Sequence, residues 1–405
     1  MTRPVWIVGM GMGPEDLTPA HQEAVRSAQV LVGGRRHLAV FESARAERIE
    51  IAGSLALLAE TIAGKVQEGL RVAVLASGDP LFFGIGRFLA ERLGGEKVRV
   101  LPNVNSVAAA FARLGRAWDE VPVVSCHGRS GGIHRLLAVL TREPVVTVLT
   151  DPVTDPACIA RELRARGLDD ADLWIMERLG GPDERVRRFA VDQAGQHRFA
   201  DPNLVVIVQP EPVPAAIGGA EAEFERVNGL ITKSEARAVS LALMRIRPDH
   251  TVWDLGAGSG SVALEAAVLA WNGRVVAVEK DPERSGLLFR NRRRLRRWHV
   301  DLVAARLPEG MDELPDPDRV FVGGGGRDLA AILQKAVPRL PPNGIVVVNC
   351  VLLASLETAR RVLRDLGVQV DVVQVQVSRG RAVAAELRLE AQNPVWIVRG
   401  VRTES

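Results

Sequence analysis

Two glycine-rich loops of different make lie about 240 residues apart on this chain, and each directly follows a short apolar run. Val5-Trp6-Ile7-Val8 leads into Gly9-Met10-Gly11-Met12-Gly13-Pro14, and Thr251-Val252-Trp253 leads into Asp254-Leu255-Gly256-Ala257-Gly258-Ser259-Gly260-Ser261. Such runs read as buried parallel strands. Glycine lets the chain turn sharply off a strand and lets the backbone approach a ligand closely. The loops differ in sequence and surroundings, so they are not copies of one unit. The pattern predicts two separate nucleotide-type cofactor sites joined on one chain.

A chain of 405 residues is long enough for two or three domains with their own cores. From Val5 to Gln209, β-branched runs at 72–76, 98–101, 121–125, 145–149 and 204–208 alternate with segments of helical spacing, which predicts an α/β domain over residues 1–210. Pro210-Glu211-Pro212-Val213-Pro214 and then Gly218-Gly219 read as a linker, stiff and then loose. A second α/β domain is predicted over 218–405, with parallel-strand candidates at 251–255, 274–278, 320–322 and 345–348. Runs 368–377 and 394–398 have no helix-length segment between them and suit an antiparallel pair at the sheet edge.

The second loop carries its own chemistry. It ends a strand and opens a helix near Ser261, and the next strand ends in Glu279, placed to bind ribose hydroxyls. An acid opening the glycine run would repel a pyrophosphate but suit an ammonium or sulfonium. S-adenosylmethionine (SAM) is such a ligand, with Asp254, Gly256, Ala257, Gly258, Gly260, Ser261 and Glu279 as its expected contacts. Upstream, Thr232-Lys233-Ser234-Glu235 reads as a capping box, which leaves Lys233 and Arg237 as candidate ligand or substrate contacts and Thr232 beside the cofactor. Downstream, Gly323-Gly324-Gly325-Gly326 ends another strand. Four glycines in a row lose much backbone entropy on folding, so Gly324 and Gly325 are expected where a substrate approaches the backbone. Asn349 ends the following strand on the same rim.

Composition narrows the function classes. No uninterrupted apolar stretch reaches about 18 residues, so no membrane span is expected. The chain enters its first strand at once, leaving no room for a signal peptide, and Cys126, Cys158 and Cys350 show no metal-ligand spacing. A cytoplasmic enzyme without a metal is the simple expectation. Arginine supplies 47 of the 52 basic residues, which fits either a GC-rich genome or a ligand bearing many carboxylates. Nucleic acid is disfavoured as a partner, because tyrosine is absent and aromatics make up 4%. The densest cluster, Arg290 to Arg297, reads as an amphipathic helix with a solvated basic face, with carboxylate or RNA binding as the alternatives. An RNA methyltransferase and a non-catalytic SAM sensor therefore remain as other readings.

The first loop gains meaning from its companions Ser77-Gly78-Asp79-Pro80-Leu81-Phe82-Phe83-Gly84 and Pro102-Asn103-Val104-Asn105-Ser106, each after a predicted strand. With Leu17-Thr18, Val32-Gly33-Gly34-Arg35-Arg36 and Glu177-Arg178-Leu179-Gly180, these residues resemble the tetrapyrrole methylase family, in its branch that methylates precorrins at carbon 5. The second half, on Thr232-Lys233, Glu235, Asp254–Ser261, Val322–Gly326 and Asn393-Pro394, resembles the decarboxylating precorrin methyltransferases of the Rossmann-like SAM-binding class. The resemblance implies a SAM contact set of Pro14, Ser77, Gly78, Asp79, Phe82, Asn105 and Ser106 in the first half. It also implies a tetrapyrrole substrate, methylation at carbons 5 and 15, loss of one acetate carboxylate, a place in cobalamin synthesis and a homo-oligomer. His127 and Arg129 are candidates to face the substrate. Glu15 departs from the glycine common after that proline, and Ala305-Arg306-Leu307-Pro308 replaces an acidic motif common in the second family.

Overall fold

A computed structural model of the chain describes residues 3–126, 131–214, 216–227, 231–323, 325–384 and 386–403. Strands β1 (Val5–Gly9), β2 (Val30–Gly33), β3 (Glu47–Glu50), β4 (Val72–Ala76) and β5 (Val98–Leu101) form an all-parallel sheet in the order β3-β2-β4-β1-β5. Every residue of β2 and β4 is buried, as expected for parallel strands covered on both faces. Ile7, Val32 and Val74 pack into one core layer, Val8, Leu31 and Leu75 into the other. The strand period of two sets that division.

The first half then departs from a single α/β series. Strands β6 (Val123–Ser125), β7 (Val145–Leu149), β8 (Asp172–Glu177), β9 (Arg185–Ala190) and β10 (Asn203–Val208) make a second sheet, ordered β6-β7-β10-β8-β9. Its one parallel pair is β6 with β7. Strand β9 carries no apolar run. It lies at an edge, where Arg187 pairs with the buried Glu177 at 2.7 Å and Arg188 pairs with Asp172.

The second half holds β11 (Thr251–Leu255), β12 (Arg274–Val278), β13 (Val300–Val303), β14 (Arg319–Val322), β15 (Ile345–Cys350), β16 (Gln369–Val375), β17 (Ser378–Val383), β18 (Glu386–Ala391) and β19 (Val395–Val401). Seven of them form the sheet β13-β12-β11-β14-β15-β19-β16, parallel through β15. Strand β19 runs antiparallel to both neighbours, so the expected antiparallel pair exists with β16 as the outer strand. Strands β17 and β18 form a separate hairpin. Among the described residues no helix is long and apolar enough to cross a membrane.

The halves share a packed junction, and here two expectations need correction. The arginine run does end a helix, Pro282–Leu295, with Arg290, Arg293 and Arg294 exposed as expected, but the face is only partly solvated. Arg292 and Arg297 are buried; Arg293 pairs with Asp169 at 2.8 Å, Arg296 pairs with Asp170, and Arg290 pairs with Glu225. Trp298, 1% exposed, sits among Val124, Leu136 and Ile207 in the core of the second sheet. Next to it Asp301 accepts from Arg166 and Arg274, both at 2.7 Å, and faces His134 at 3.3 Å. Burial works against the Asp301 charge, but Arg166, His134 and Arg274 overcome it and hold the carboxyl below its usual range. The glycine pair of the linker is not loose either. Gly218 and Gly219 donate their amides to the two carboxylate oxygens of Glu265, at 2.9 and 3.0 Å.

Candidate active sites

The first site is assembled where β1, β2, β4 and β5 end. The backbone between β1 and the short helical turn Pro14–Asp16 meets the loop after β4 in a single bridge, Gly11 to Gly78. Gly78 has φ +56°, a left-handed conformation that strains any side chain, and a Cβ there would lie 3.1 Å from the Asn105 backbone. Asp16 braces the loop by accepting the Met12 amide at 2.7 Å. Asn103 ties it to β5 by donating to the Gly9 and Asp16 carbonyls at 3.0 and 3.1 Å. Asn103 was not among the expected site residues. Its signal, an Asn two residues past a strand end, is too common to stand out in a sequence.

The expected contacts of this half lie on that rim. Pro14 and Ser77 are exposed. Asp79 accepts the Leu81 amide at 2.9 Å, a turn-forming bond that leaves its second oxygen uncommitted to that turn. Asn105 caps the helix Ser106–Leu114, its side-chain oxygen accepting from the Ala108 amide at 2.9 Å. Phe82 packs edge-on against Phe83 and Trp118, with ring centroids 5.0 and 6.4 Å away. His127 and Arg129 lie outside the described residues.

The second site lies at the switch point of the seven-stranded sheet, where β11 adjoins both β12 and β14, the usual ligand crevice of an open α/β sheet. Gly260 has φ +83° at the start of the helix Ser261–Leu269, and a Cβ there would come within 2.6 Å of the Leu288 side chain. Gly323, after β14, approaches so closely that its Cβ position lies 3.3 Å from the Gly256 carbonyl. Two buried acids hold the loop between these points. Glu279 accepts the Gly258 amide at 2.8 Å and the Asp281 amide at 3.0 Å, one on each oxygen. Asp254 accepts the Ala263 amide at 2.9 Å through Oδ2, and its buried Oδ1 has no partner. Burial, helped by the Glu279 charge, pushes the Asp254 carboxyl up to about 7.

Upstream of this loop the structure differs from the reading of Thr232 to Glu235. The helix begins at Ser234, with Lys233 at the cap position and no side-chain cap bond. Glu235 is held by Arg379 of β17 at 2.6 Å, and that bond draws its carboxyl down to about 2. Arg379 therefore replaces Thr232 as the partner, across 144 residues that no local pattern links. Lys233 pairs with Glu221 at 2.9 Å. Arg237 is fully buried and is corrected from a substrate contact to an anchor. It pairs with Glu265 at 2.8 Å and donates to the carbonyls of Thr232 and Gly219. Asn349 accepts from Ser240 Oγ at 3.0 Å, while its buried Nδ2 has no partner. Gly325 stands against Leu329, its Cβ position 2.7 Å from that backbone, and Gly324 lies outside the described residues. Asn291 also went unmarked. Fully buried, it donates to the Ser259 carbonyl at 2.9 Å, but in the sequence it is hidden inside the arginine run.

Comparison with known proteins matches this two-part layout. Residues 4–195 match the model of the tetrapyrrole (corrin/porphyrin) methylases, and residues 223–401 match the precorrin methyltransferase domain. A precorrin-6Y C(5,15)-methyltransferase [decarboxylating] from Sinorhizobium sp is 32% identical over 355 residues, 85% of this chain and 84% of that protein. A probable cobalt-precorrin-6B C(15)-methyltransferase (decarboxylating) of Pyrobaculum calidifontis is 42% identical over 43% of this chain and 91% of its own length. A cobalt-precorrin-7 C(5)-methyltransferase of Salmonella typhimurium is 38% identical over 44% of this chain and 87% of its own. Fold, loops and matches define a SAM-dependent methyltransferase acting in corrin synthesis. Within that class the chain belongs to the family of the precorrin-6Y C5,15-methyltransferases (decarboxylating).

Proposed function

We propose that this chain methylates precorrin-6B at carbons 5 and 15 and removes the ring-C acetate carboxylate as carbon dioxide, giving precorrin-8 in cobalamin synthesis. The observation that carries this reading is the pair of unlike glycine rims, each at the ends of parallel strands of its own sheet. We assign one SAM to each. In residues 1–210 the contacts are Pro14, Ser77, Gly78, Asp79, Phe82, Asn105 and Ser106, serving carbon 5. In residues 218–405 they are Thr232, Asp254, Gly256, Ala257, Gly258, Gly260, Ser261 and Glu279, serving carbon 15 and decarboxylation. The second rim suits the ligand chemically. Its glycine backbone has the left-handed geometry of a cradle, the Glu279 oxygens each keep capacity for a ribose hydroxyl, and the unpartnered Asp254 oxygen favours a cation.

A bound SAM supplies a methyl group on a sulfonium, ready for transfer to a carbon nucleophile. The protein's part is to bring that carbon into line and to exclude water. Apolar side chains stand exposed beside each rim: Leu81 and Val104 at the first, Val351, Leu352 and Leu353 at the second. Such surfaces fit the flat face of a macrocycle. Lys233 and Asn349, with His127, Arg129, Gly324 and Gly325, are the candidates to meet the macrocycle. The macrocycle itself serves as electron sink for decarboxylation, as cofactors do elsewhere. The family analogy also suggests a homo-oligomer.

The test is incubation of the full chain with precorrin-6B and methyl-labelled SAM, followed by mass analysis. The expected product gains two labelled methyl groups and loses one carbon dioxide. Binding of SAM without turnover of the tetrapyrrole would instead favour a sensor. Methylation of RNA, with binding that weakens steeply with salt, would favour the RNA enzyme.

A further inference from the structure

Gly34-Arg35-Arg36-His37, where the chain leaves β2 for the helix Arg35–Val40, takes no part in the contacts assigned so far. Strand β2 pairs in parallel with β4, Gly33 beside Leu75, so the residues that follow both strands emerge on one rim. Arg36 and Ser77 meet there. Arg36 Nη2 donates to Ser77 Oγ at 2.7 Å, and Arg36 Nε donates to His37 Nε2 at 3.3 Å. Ser77 Oγ lies 3.3 Å from the same ring nitrogen. A guanidinium has only donors to offer, so Nε2 presents its lone pair and the ring proton sits on Nδ1. Burial and the Arg36 charge lower the His37 pKa to about 4, which keeps the ring neutral and that lone pair available to Arg36. The lone pair is spent within the trio, and His37 serves as a fixed holder of the guanidinium.

This geometry decides which side of Arg36 is left open. The Nε–H and one Nη2–H lie parallel along one side of a guanidinium, and here His37 Nε2 and Ser77 Oγ fill that side. The other edge, between Nη1 and Nη2, keeps its protons without an acceptor among the described residues. Two parallel N–H groups on one edge match the two oxygens of a carboxylate. Arg36 is exposed and has no acidic partner among the described residues, whereas its neighbour Arg35 is turned toward Glu50 at 3.4 Å. A long exposed side chain loses rotamer freedom when a ligand orders it. Held by His37 and Ser77 beforehand, Arg36 has less of that freedom to lose.

Resting on the proposed methylation at carbon 5, we infer that Arg36 is a substrate-binding residue whose Nη1–Nη2 edge takes a side-chain carboxylate of the tetrapyrrole at the first rim. His37 and Ser77 position the guanidinium. Because the same guanidinium donates to Ser77, a proposed cofactor contact, one side chain joins the substrate's acid to the cofactor's rim. Leu81 and Val104 stand exposed on the loops of that rim. A flat macrocycle resting on them carries its acids at its edge, where a fixed cation can meet them. SAM has a carboxylate too, on its methionine part, and the test separates the two sources.

The experiment uses the full chain as wild type, Arg36→Gln and Arg36→Lys, and follows the initial rate of carbon-5 methylation against precorrin-6B concentration. Arg36 is exposed, so neither change disturbs the core. Loss of a charged bidentate pair should raise KM about 10–100-fold in Arg36→Gln, with kcat changed far less. Lysine keeps the charge and loses the fork, so Arg36→Lys should fall between. Calorimetry with S-adenosylhomocysteine should give wild-type affinity in both variants. Precorrin-6B with its carboxylates converted to methyl esters should bind wild type and Arg36→Gln equally, a result that a merely structural brace does not produce. An unchanged KM in Arg36→Gln overturns the proposal. So does a fall in S-adenosylhomocysteine affinity that matches the KM change, which gives the guanidinium to the cofactor's own carboxylate. A gap between wild type and Arg36→Gln that persists with the ester also overturns it. A wild-type chain that never methylates carbon 5 overturns the functional reading, and this proposal with it.

Discussion

The two rims, each proposed to hold one SAM, are built in opposite ways. The first presents Ser77 outward beside an exposed Pro14; one Asp79 oxygen serves a local turn, the Asn105 oxygen caps a helix, and Asn103 pins the backbone beneath them. The second draws its acids into the core. Asp254 is 1% and Glu279 7% exposed, and both hold the glycine backbone by accepting its neighbours' amides. A surface rim can lose a polar side chain and keep its shape. A rim built on buried carboxylates couples ligand, loop and core, because an unpaired buried group is expensive. The two sites should therefore fail separately and by different means.

The largest separation should come from the glycines. Gly256→Val places a branched side chain where the backbone turns at φ +80°, and Gly78→Val does the same in the first half. The first change should abolish carbon-15 methylation and carbon dioxide release while sparing carbon 5, and the second should do the reverse. Labelled-methyl counting with carbon dioxide capture reads both. If Gly256→Val releases carbon dioxide at the wild-type rate, the division of labour is wrong.

The junction offers the next largest effect. Trp298 belongs to the second half in sequence but fills the core of the first half's mixed sheet. Replacing it with Ala should lower stability by about 3–5 kcal/mol, the usual range for a large buried ring. Urea unfolding followed through a first-half probe should show the loss. If only the second half is weakened, the shared core is not the link between the halves.

Glu279→Ala should weaken the second cofactor site by about 1–3 kcal/mol, since it strips partners from the Gly258 and Asp281 amides as well as from the ligand. Asp79→Ala should cost the first site less, because one Asp79 oxygen serves only the Leu81 turn. Calorimetry with S-adenosylhomocysteine ranks the two, and equal losses would erase the contrast between the rims.

The smallest effect is a pH dependence confined to the second site. With its pKa raised to about 7, Asp254 keeps its proton in the free protein below neutrality. A cationic ligand favours the charged carboxylate, so binding should release a proton, and affinity should rise a few-fold as pH increases through about 7. The sign for stability is opposite to that of a salt-bridged acid. A raised folded pKa means the native state holds the proton longer, so Asp254 opposes folding increasingly between about 4 and 7. Calorimetry at pH 6 and 8 in buffers of different ionisation heat should show the release, and a flat profile would contradict it.

Much of this contrast was legible in the sequence because it is written in short motifs. The glycine rims, Glu279 at the tip of β12 and the parallel strands with continuous apolar runs all carry local signals. What the sequence hid depends on distant partners. Strand β9 reads as charged because Glu177 and Asp172, on the neighbouring strand, neutralise its arginines. The run Arg290 to Arg297 reads as a solvated face because its acids, Asp169 and Asp170, lie over 120 residues away in the other half. Thr232-x-x-Glu235 has the spacing of a capping box, yet Arg379 on a remote hairpin takes the glutamate instead. Spacing reports local geometry, and a long-range ion pair leaves no trace in it.

The central claim is that one chain carries two cofactor sites of different construction. The most direct test is the stoichiometry of S-adenosylhomocysteine binding to the full chain by calorimetry, repeated for Gly256→Val. The account predicts two equivalents per wild-type chain, with distinct affinities, and one in the variant. A single equivalent in the wild type, or loss of both together in Gly256→Val, would contradict it.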